Sequence, residues 1–207
     1  MFNPFGAARY KDLPNLTPMF GNIGKSWNNP LPNDLYIKGV PKNIFKETNF
    51  TGNVGTGLDT LRTFTFPAGS FRLDQQDYFQ ARVGGGFLAN DDNKRVQLSF
   101  GGNILLNTGS LDVDNFGYYW DLVIMRLTNT TFNYILGCNL GQIVADSAAV
   151  VTSVGSLHTA RTGNIVTLSG GTTFDGNAQV LLLEAESSTA TNNNIINNIW
   201  VGELTRF

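Results

Sequence analysis

The sequence predicts an all-β protein: an antiparallel two-sheet jelly-roll sandwich with an extended N-terminal arm. Three observations carry this. Period-two alternation of apolar and polar residues recurs from residue 61 onward, the mark of strands with one buried face. Clusters of Gly, Asn, Asp, Ser and Thr punctuate those runs, and no stretch carries the apolar period of an amphipathic helix. Six of the seven prolines fall within the first fifty residues, at Pro4, Pro14, Pro18, Pro30, Pro32 and Pro41. The chain therefore divides into an arm, residues 1–50, and a β-sandwich domain, residues 51–207.

Proline removes backbone donors and blocks both helix and central strand, so no regular element is expected in the arm. Aromatic residues are scattered through it, among them Phe2, Phe5, Tyr10, Phe20 and Trp27. Disordered tails are poor in aromatics. The arm reads as an extended segment with apolar anchors, laid along a partner or along its own domain, and Phe2, Phe5, Tyr10, Phe20 and Trp27 are the candidate docking residues. Its six basic residues stand against three acidic ones. Spread over fifty positions, that excess is too thin for a nucleic-acid arm.

Residues 51–58 read as a Gly/Thr linker. In 61–67, Thr63 and Thr65 alternate with Phe64 and Phe66 before the turn signal Pro67-Ala68-Gly69. Residues 78–87 form the next strand, with Phe79, Ala81 and Val83 on one side. The triple glycine 84–86 marks a bulge or the close approach of another backbone. Residues 90–93 are a turn. Val96, Leu98 and Phe100 then alternate with Arg95, Gln97 and Ser99, and Gly101-Gly102 breaks the run. The most apolar stretch is 118–127. Trp120, Leu122 and Ile124 share one side, and Tyr119, Val123 and Met125 the other, which predicts a central strand covered on both faces. Strands are expected at 132–139, 142–144, 164–169, 179–185 and 199–204, a short apolar run at 148–151, and a loop at 155–161 carrying His158.

Size and composition narrow the function. A chain of 207 residues suits one β domain plus an appendage. Only 14% of residues are charged, against the usual ~25%, and the polar surface is supplied by Asn, Thr, Ser and Gly. Such a surface suits turns and subunit contacts. The net charge of −2 offers no attraction to nucleic acid. No signal peptide and no membrane-spanning run of ~18 apolar residues is expected.

Chemistry-bearing residues are sparse. The single cysteine, Cys138, sits between Leu136 and Leu140 as a buried apolar side chain would. One histidine and one cysteine make a zinc site or a Cys/His pair improbable, and no G-x-S-x-G elbow occurs. Asp91-Asp92 and Asp112/Asp114 lack EF-hand spacing and read as turn residues. Asp121, Glu184 and Glu186 are the carboxylates from which a hydrolytic pair would be drawn, with Glu184 and Glu186 on one solvated strand face. The expectation is no enzyme, no cofactor and no metal. Three N-x-[ST] triplets begin at Asn15, Asn49 and Asn129, as chance supplies in a chain rich in Asn and Thr.

The run TFTFPAGSF at 63–71, the glycine-bearing strand after it, NDDNKRVQLSFGG at 90–102, NTG at 107–109 and the strand bearing Trp120 resemble the jelly-roll domains of virion proteins of tailed phages and related viruses. Those occur in tail fibres, head fibres and capsid decorations, and are similar in shape to trimeric tumour-necrosis-factor-like and C1q-like domains. The resemblance covers roughly 58–207. It implies a homotrimer on the virion surface, made in the host cytoplasm and bound to capsid or other virion proteins. A short arm in place of a long shaft favours capsid decoration, cement or head fibre. A receptor- or glycan-binding tip is the alternative, with Tyr118 or Tyr119 stacking on host-surface sugars. A small-virus capsid protein is a further one, which the weakly charged arm disfavours.

Overall fold

The computed structural model describes residues 39–73, 77–88, 92–112, 115–145 and 151–207, of which 142–145 and 151–161 are described by their backbone alone. The arm's candidate docking residues Phe2, Phe5, Tyr10, Phe20 and Trp27 lie outside the described residues.

Among the described residues twelve strands form two antiparallel sheets packed face to face, an all-β jelly-roll-like sandwich. They are β1 (Lys42–Glu47), β2 (Thr51–Gly52), β3 (Gly57–Phe66), β4 (Tyr78–Phe87), β5 (Asn93–Phe100), β6 (Asn103–Asn107), β7 (Leu111–Asp112), β8 (Phe116–Arg126), β9 (Thr131–Ala145), β10 (Val151–Thr167), β11 (Gln179–Ser187) and β12 (Ile195–Thr205). The larger sheet runs β1-β12-β4-β8-β9-β10, with β2 also on β12. The smaller runs β3-β11-β5-β6, with β7 also on β5. Among the described residues no helix is long and apolar enough to cross a membrane.

The core is what strand alternation dictates. In β8, Tyr118, Trp120, Leu122 and Ile124 are buried. Phe79, Ala81 and Val83 of β4 lie beside them on one flank and Phe132, Tyr134, Leu136 and Cys138 of β9 on the other. The smaller sheet answers with Val96, Leu98 and Phe100 of β5 and Leu181, Leu183 and Ala185 of β11. Burying each large side chain contributes roughly 1.5–3 kcal/mol. Aromatic edges join the layers: Phe66 of β3 meets Phe79 of β4 edge to face at 4.9 Å, and Phe100 of β5 meets Phe132 of β9 at 5.2 Å. Gly101 and Gly102, both at positive φ, make the two-residue turn between β5 and β6.

Four parts of the structure differ from the sequence expectation. The sandwich takes in Lys42–Glu47, which the division at residue 50 places in the arm, and Thr51–Gly52, which reads as linker. β1 pairs with β12 because Phe45 lands opposite Gly202, where a side chain would collide with its ring, and stacks on Trp200 at 5.1 Å. Buried Arg62 fixes the same edge by donating to Glu47 at 2.5 Å and to Asn197 Oδ1 at 2.9 Å. Next, 155–161 is strand, not loop: it belongs to β10, with His158 opposite Leu140 of β9. The runs 132–139 and 142–144 are one continuous strand. Finally, β8 is central, but among the described residues it is covered on one face only. Tyr119, Asp121 and Val123 are half-buried and Met125 is exposed, because the smaller sheet packs against the Trp120 side.

The triple glycine behaves as expected. Opposite it, β12 breaks register between Asn197 and Ile199. The fully buried Asn197 side chain bridges the break, donating to Gly84 O at 2.8 Å and Ile199 O at 3.0 Å. Gly85 lets the Ile196 carbonyl and the Tyr118 hydroxyl come against β4.

Candidate functional site

The open face of the larger sheet holds the site. Strand register brings its residues together from three neighbouring strands. Tyr119 of β8 lies between Gly84 of β4 and Asn139 of β9; Asp121 lies between Arg82 and Gly137; Val123 lies between Gln80 and Ile135. All of these except Gly84 line one concavity of about 670 Å³, within the ~300–1,000 Å³ typical of small-ligand sites.

Its relief follows from side-chain size. Gly137 forms a floor: a Cβ there would meet only the Asp121 carbonyl, at 3.9 Å. Tyr119 leans toward β4, its ring edge 3.4 Å from where a Gly84 Cβ would stand. The Tyr119 hydroxyl donates to Asp121 Oδ1 at 3.3 Å. Its phenol is raised above the usual tyrosine range, first by partial desolvation and then by the Asp121 charge, with Arg82 opposing. Ile135, half exposed, adds an apolar rim. The arrangement offers one aromatic ring, one carboxylate, one guanidinium and side-chain amides around a glycine floor.

The other candidates are separated or already engaged. Tyr118 is buried, its hydroxyl donating to Ile196 O at 2.9 Å, and burial holds its phenol far above the ordinary range. Of the tyrosine pair, Tyr119 alone reaches the open face. Asp121 is on the outer face of the larger sheet, whereas Glu184 and Glu186 are on that of the smaller one, so the structure does not bring the three carboxylates together. Glu184 accepts from Gln97 at 3.3 Å, and Glu186 pairs with Arg95 at 2.5 Å. That pair lines a second, smaller concavity of about 430 Å³. Asp92 is buried and accepts from Thr189 and, at 2.8 Å, from Asn194, so it closes one end of the sandwich. Asp91 and Asp114 lie outside the described residues, as does Asn15. Asn129 accepts from Arg126 and from the Asp175 backbone, a structural role in its turn. Cys138 is buried, and burial pushes its thiol up. Among the described residues no group of three or more His, Cys, Asp or Glu is placed to hold a metal.

Arg82, Gln80 and Asn139 escaped the sequence reading. Their signal was present: in strands already recognised, each occupies the alternation phase opposite the buried residues.

No family model and no curated protein matches the chain. Solved structures similar to it include latent PorU from Porphyromonas gingivalis, with 12% identity over 84% of this chain and a TM-score of 0.33. An insecticidal delta-endotoxin, Cry8Ea1 from Bacillus thuringiensis, matches with 11% identity over 75% of this chain and a TM-score of 0.30. The chain spans 13% and 19% of the lengths of those two proteins. The CBM2 module of the evolved Dit of Lactobacillus casei BL23 phage J-1 matches with 12% identity, 81% of this chain, 97% of its own and a TM-score of 0.31. Likenesses of this grade assign no function.

Proposed function

We propose that this chain is a non-catalytic structural protein of a virus particle. Residues 1–38 attach it to capsid or other virion proteins and the sandwich projects outward, as in a capsid decoration, cement or head-fibre protein. One observation carries the reading: the first described residue, Gly39, donates to Arg206 O at 2.6 Å and sits beside Phe207, so residues 1–38 join the sandwich at one end. In this scheme the sandwich, tethered from that end, projects away from the particle. Phe2, Phe5, Tyr10, Phe20 and Trp27 are the anchors in this scheme, each contributing roughly 1.5–3 kcal/mol when buried on a partner, partly offset by ordering the segment at about 1–2 kcal/mol per residue. Three copies acting together raise effective concentration and make the balance favourable. Homotrimer contacts draw on the apolar residues exposed at 50–58, namely Phe50, Val54 and Leu58.

The test is co-sedimentation with particles that lack the protein. Full-length chain should bind, and chain lacking residues 1–38 should fold and stay in the supernatant. Equal binding by both would place attachment on the sandwich. The cut is set at residue 38 because a deeper one removes β1 and Phe45 from the core.

A second reading, a receptor- or glycan-binding tip, is favoured by one feature, the Tyr119 concavity on the open sheet face.

A further inference from the structure

We infer that the concavity over Gly137 binds a neutral pyranose sugar. This deepens the glycan-binding reading and rests on it.

Backbone recognition is closed at this place. β8 is hydrogen-bonded on both sides, to β4 and to β9, so the face presents no unpaired N–H or C=O groups to an added peptide strand. Recognition must come from side chains, and these have the chemistry of a sugar-binding surface. The Tyr119 ring, Val123 and half-exposed Ile135 supply apolar area for the C–H face of a pyranose. The Asp121 carboxylate supplies acceptors for its hydroxyls. Oδ1 is held by the Tyr119 hydroxyl, which fixes the carboxylate's rotamer and leaves Oδ2 to accept from a ligand. Arg82, directly across from Asp121, supplies N–H donors to a second hydroxyl or a ring oxygen. The Gly137 floor gives the ring depth, since nothing but the Asp121 carbonyl lies near the missing side chain.

Charge selects among sugars. Arg82 and Asp121 face each other as one cation and one anion, so the site is balanced overall. A sialic acid carboxylate or a phosphate would bring its charge against Asp121 as well as Arg82, and that repulsion disfavours both. The second concavity, on the other sheet, lacks an aromatic ring, and its Arg95 is already paired with Glu186. It serves as the control.

The experiment uses the full chain and saturation-transfer NMR with the methyl glycosides of glucose, galactose, mannose, N-acetylglucosamine and N-acetylgalactosamine, plus sialic acid as the acidic arm. At least one neutral glycoside should bind saturably, with a Kd on the order of millimolar. Tyr119→Ala and Asp121→Asn should each weaken it about 10-fold or more. Gly137→Leu, which fills the floor and removes no polar group, should abolish it, and Arg95→Ala should change nothing. No binding of any neutral glycoside up to roughly 50 mM, binding of sialic acid alone, or undiminished binding in Tyr119→Ala and Asp121→Asn would overturn the proposal. Should Gly137→Leu fail to fold, those two surface variants decide. Particle co-sedimentation is read separately: sugar binding lost with arm-dependent attachment intact rejects this site alone, and the converse rejects the attachment scheme alone.

Discussion

Gly85→Ala is the sharpest probe of how the larger sheet is built. A Cβ at that position would run into the Ile196 carbonyl oxygen and stand 2.5 Å from the Tyr118 hydroxyl and 2.6 Å from its Cζ. Neither neighbour can yield cheaply. The carbonyl belongs to β12, which is paired with β4 along its length, and Tyr118 is buried with its hydroxyl bonded to that same oxygen at 2.9 Å. Overpacking costs about 1–3 kcal/mol, and losing the Tyr118–Ile196 bond adds about 0.5–1.5 kcal/mol. The expected loss is about 3 kcal/mol, or a melting temperature roughly 6–12 °C lower in a domain of this size. Gly86→Ala is the internal control. Its Cβ would meet Phe116 O at 3.4 Å and Ile196 side-chain atoms at 3.8 and 3.9 Å, ordinary contacts, so restriction of the unfolded chain should leave it neutral or stabilised by about 0.4–1 kcal/mol. Gly84→Ala should fall between, with Ile199 at 3.1 Å. Thermal melts followed by circular dichroism give the order directly. A Gly85→Ala protein melting with the wild type, or a Gly86→Ala protein melting below it, would refute the bulge-and-contact account.

Three further outcomes are expected. Trp120→Ala should cost roughly 3–5 kcal/mol by urea titration, since the side chain is fully buried between β4 and β9; an unchanged midpoint would mean that the inside and outside of β8 are exchanged. Arg126, buried, donates to both Asp175 carboxylate oxygens at 2.6 and 2.7 Å, which holds that carboxyl below the usual range. A depressed folded-state pKa stabilises above the unfolded value, near ~4, and that contribution is lost as pH falls through the folded pKa. Asp175→Asn should therefore melt below wild type at neutral pH, the gap closing under acid; a gap independent of pH would remove the charge from the explanation. Light scattering of the full chain should give three times its 22.6 kDa mass, and a stable monomer would end the trimer proposal.

How much of this the sequence carried depended on whether a contact was local. The inward faces of β4, β5, β8 and β11 were legible because period two is a property of each strand alone. β1 was not. Its register slips between Asn43 and Phe45, which breaks the alternation, and Phe45, itself half-buried, packs against the core only because Gly202 makes room for it. The buried polar ties were equally hidden: Arg62 reaches Asn197 and Asn194 reaches Asp92 across more than a hundred residues of chain. Alternation also says which residues share a face without saying whether that face is covered. Tyr119, Val123 and Met125 looked like a second core, although Asp121 stands in the same phase between them. A carboxylate at the middle of an apolar phase, directly opposite Arg82 and with a glycine on its other flank, is costly inside a core but at home on an open surface that meets a polar ligand. Reading Asp121 as evidence about the face, rather than as an exception to it, turns the misjudged strand into the candidate site.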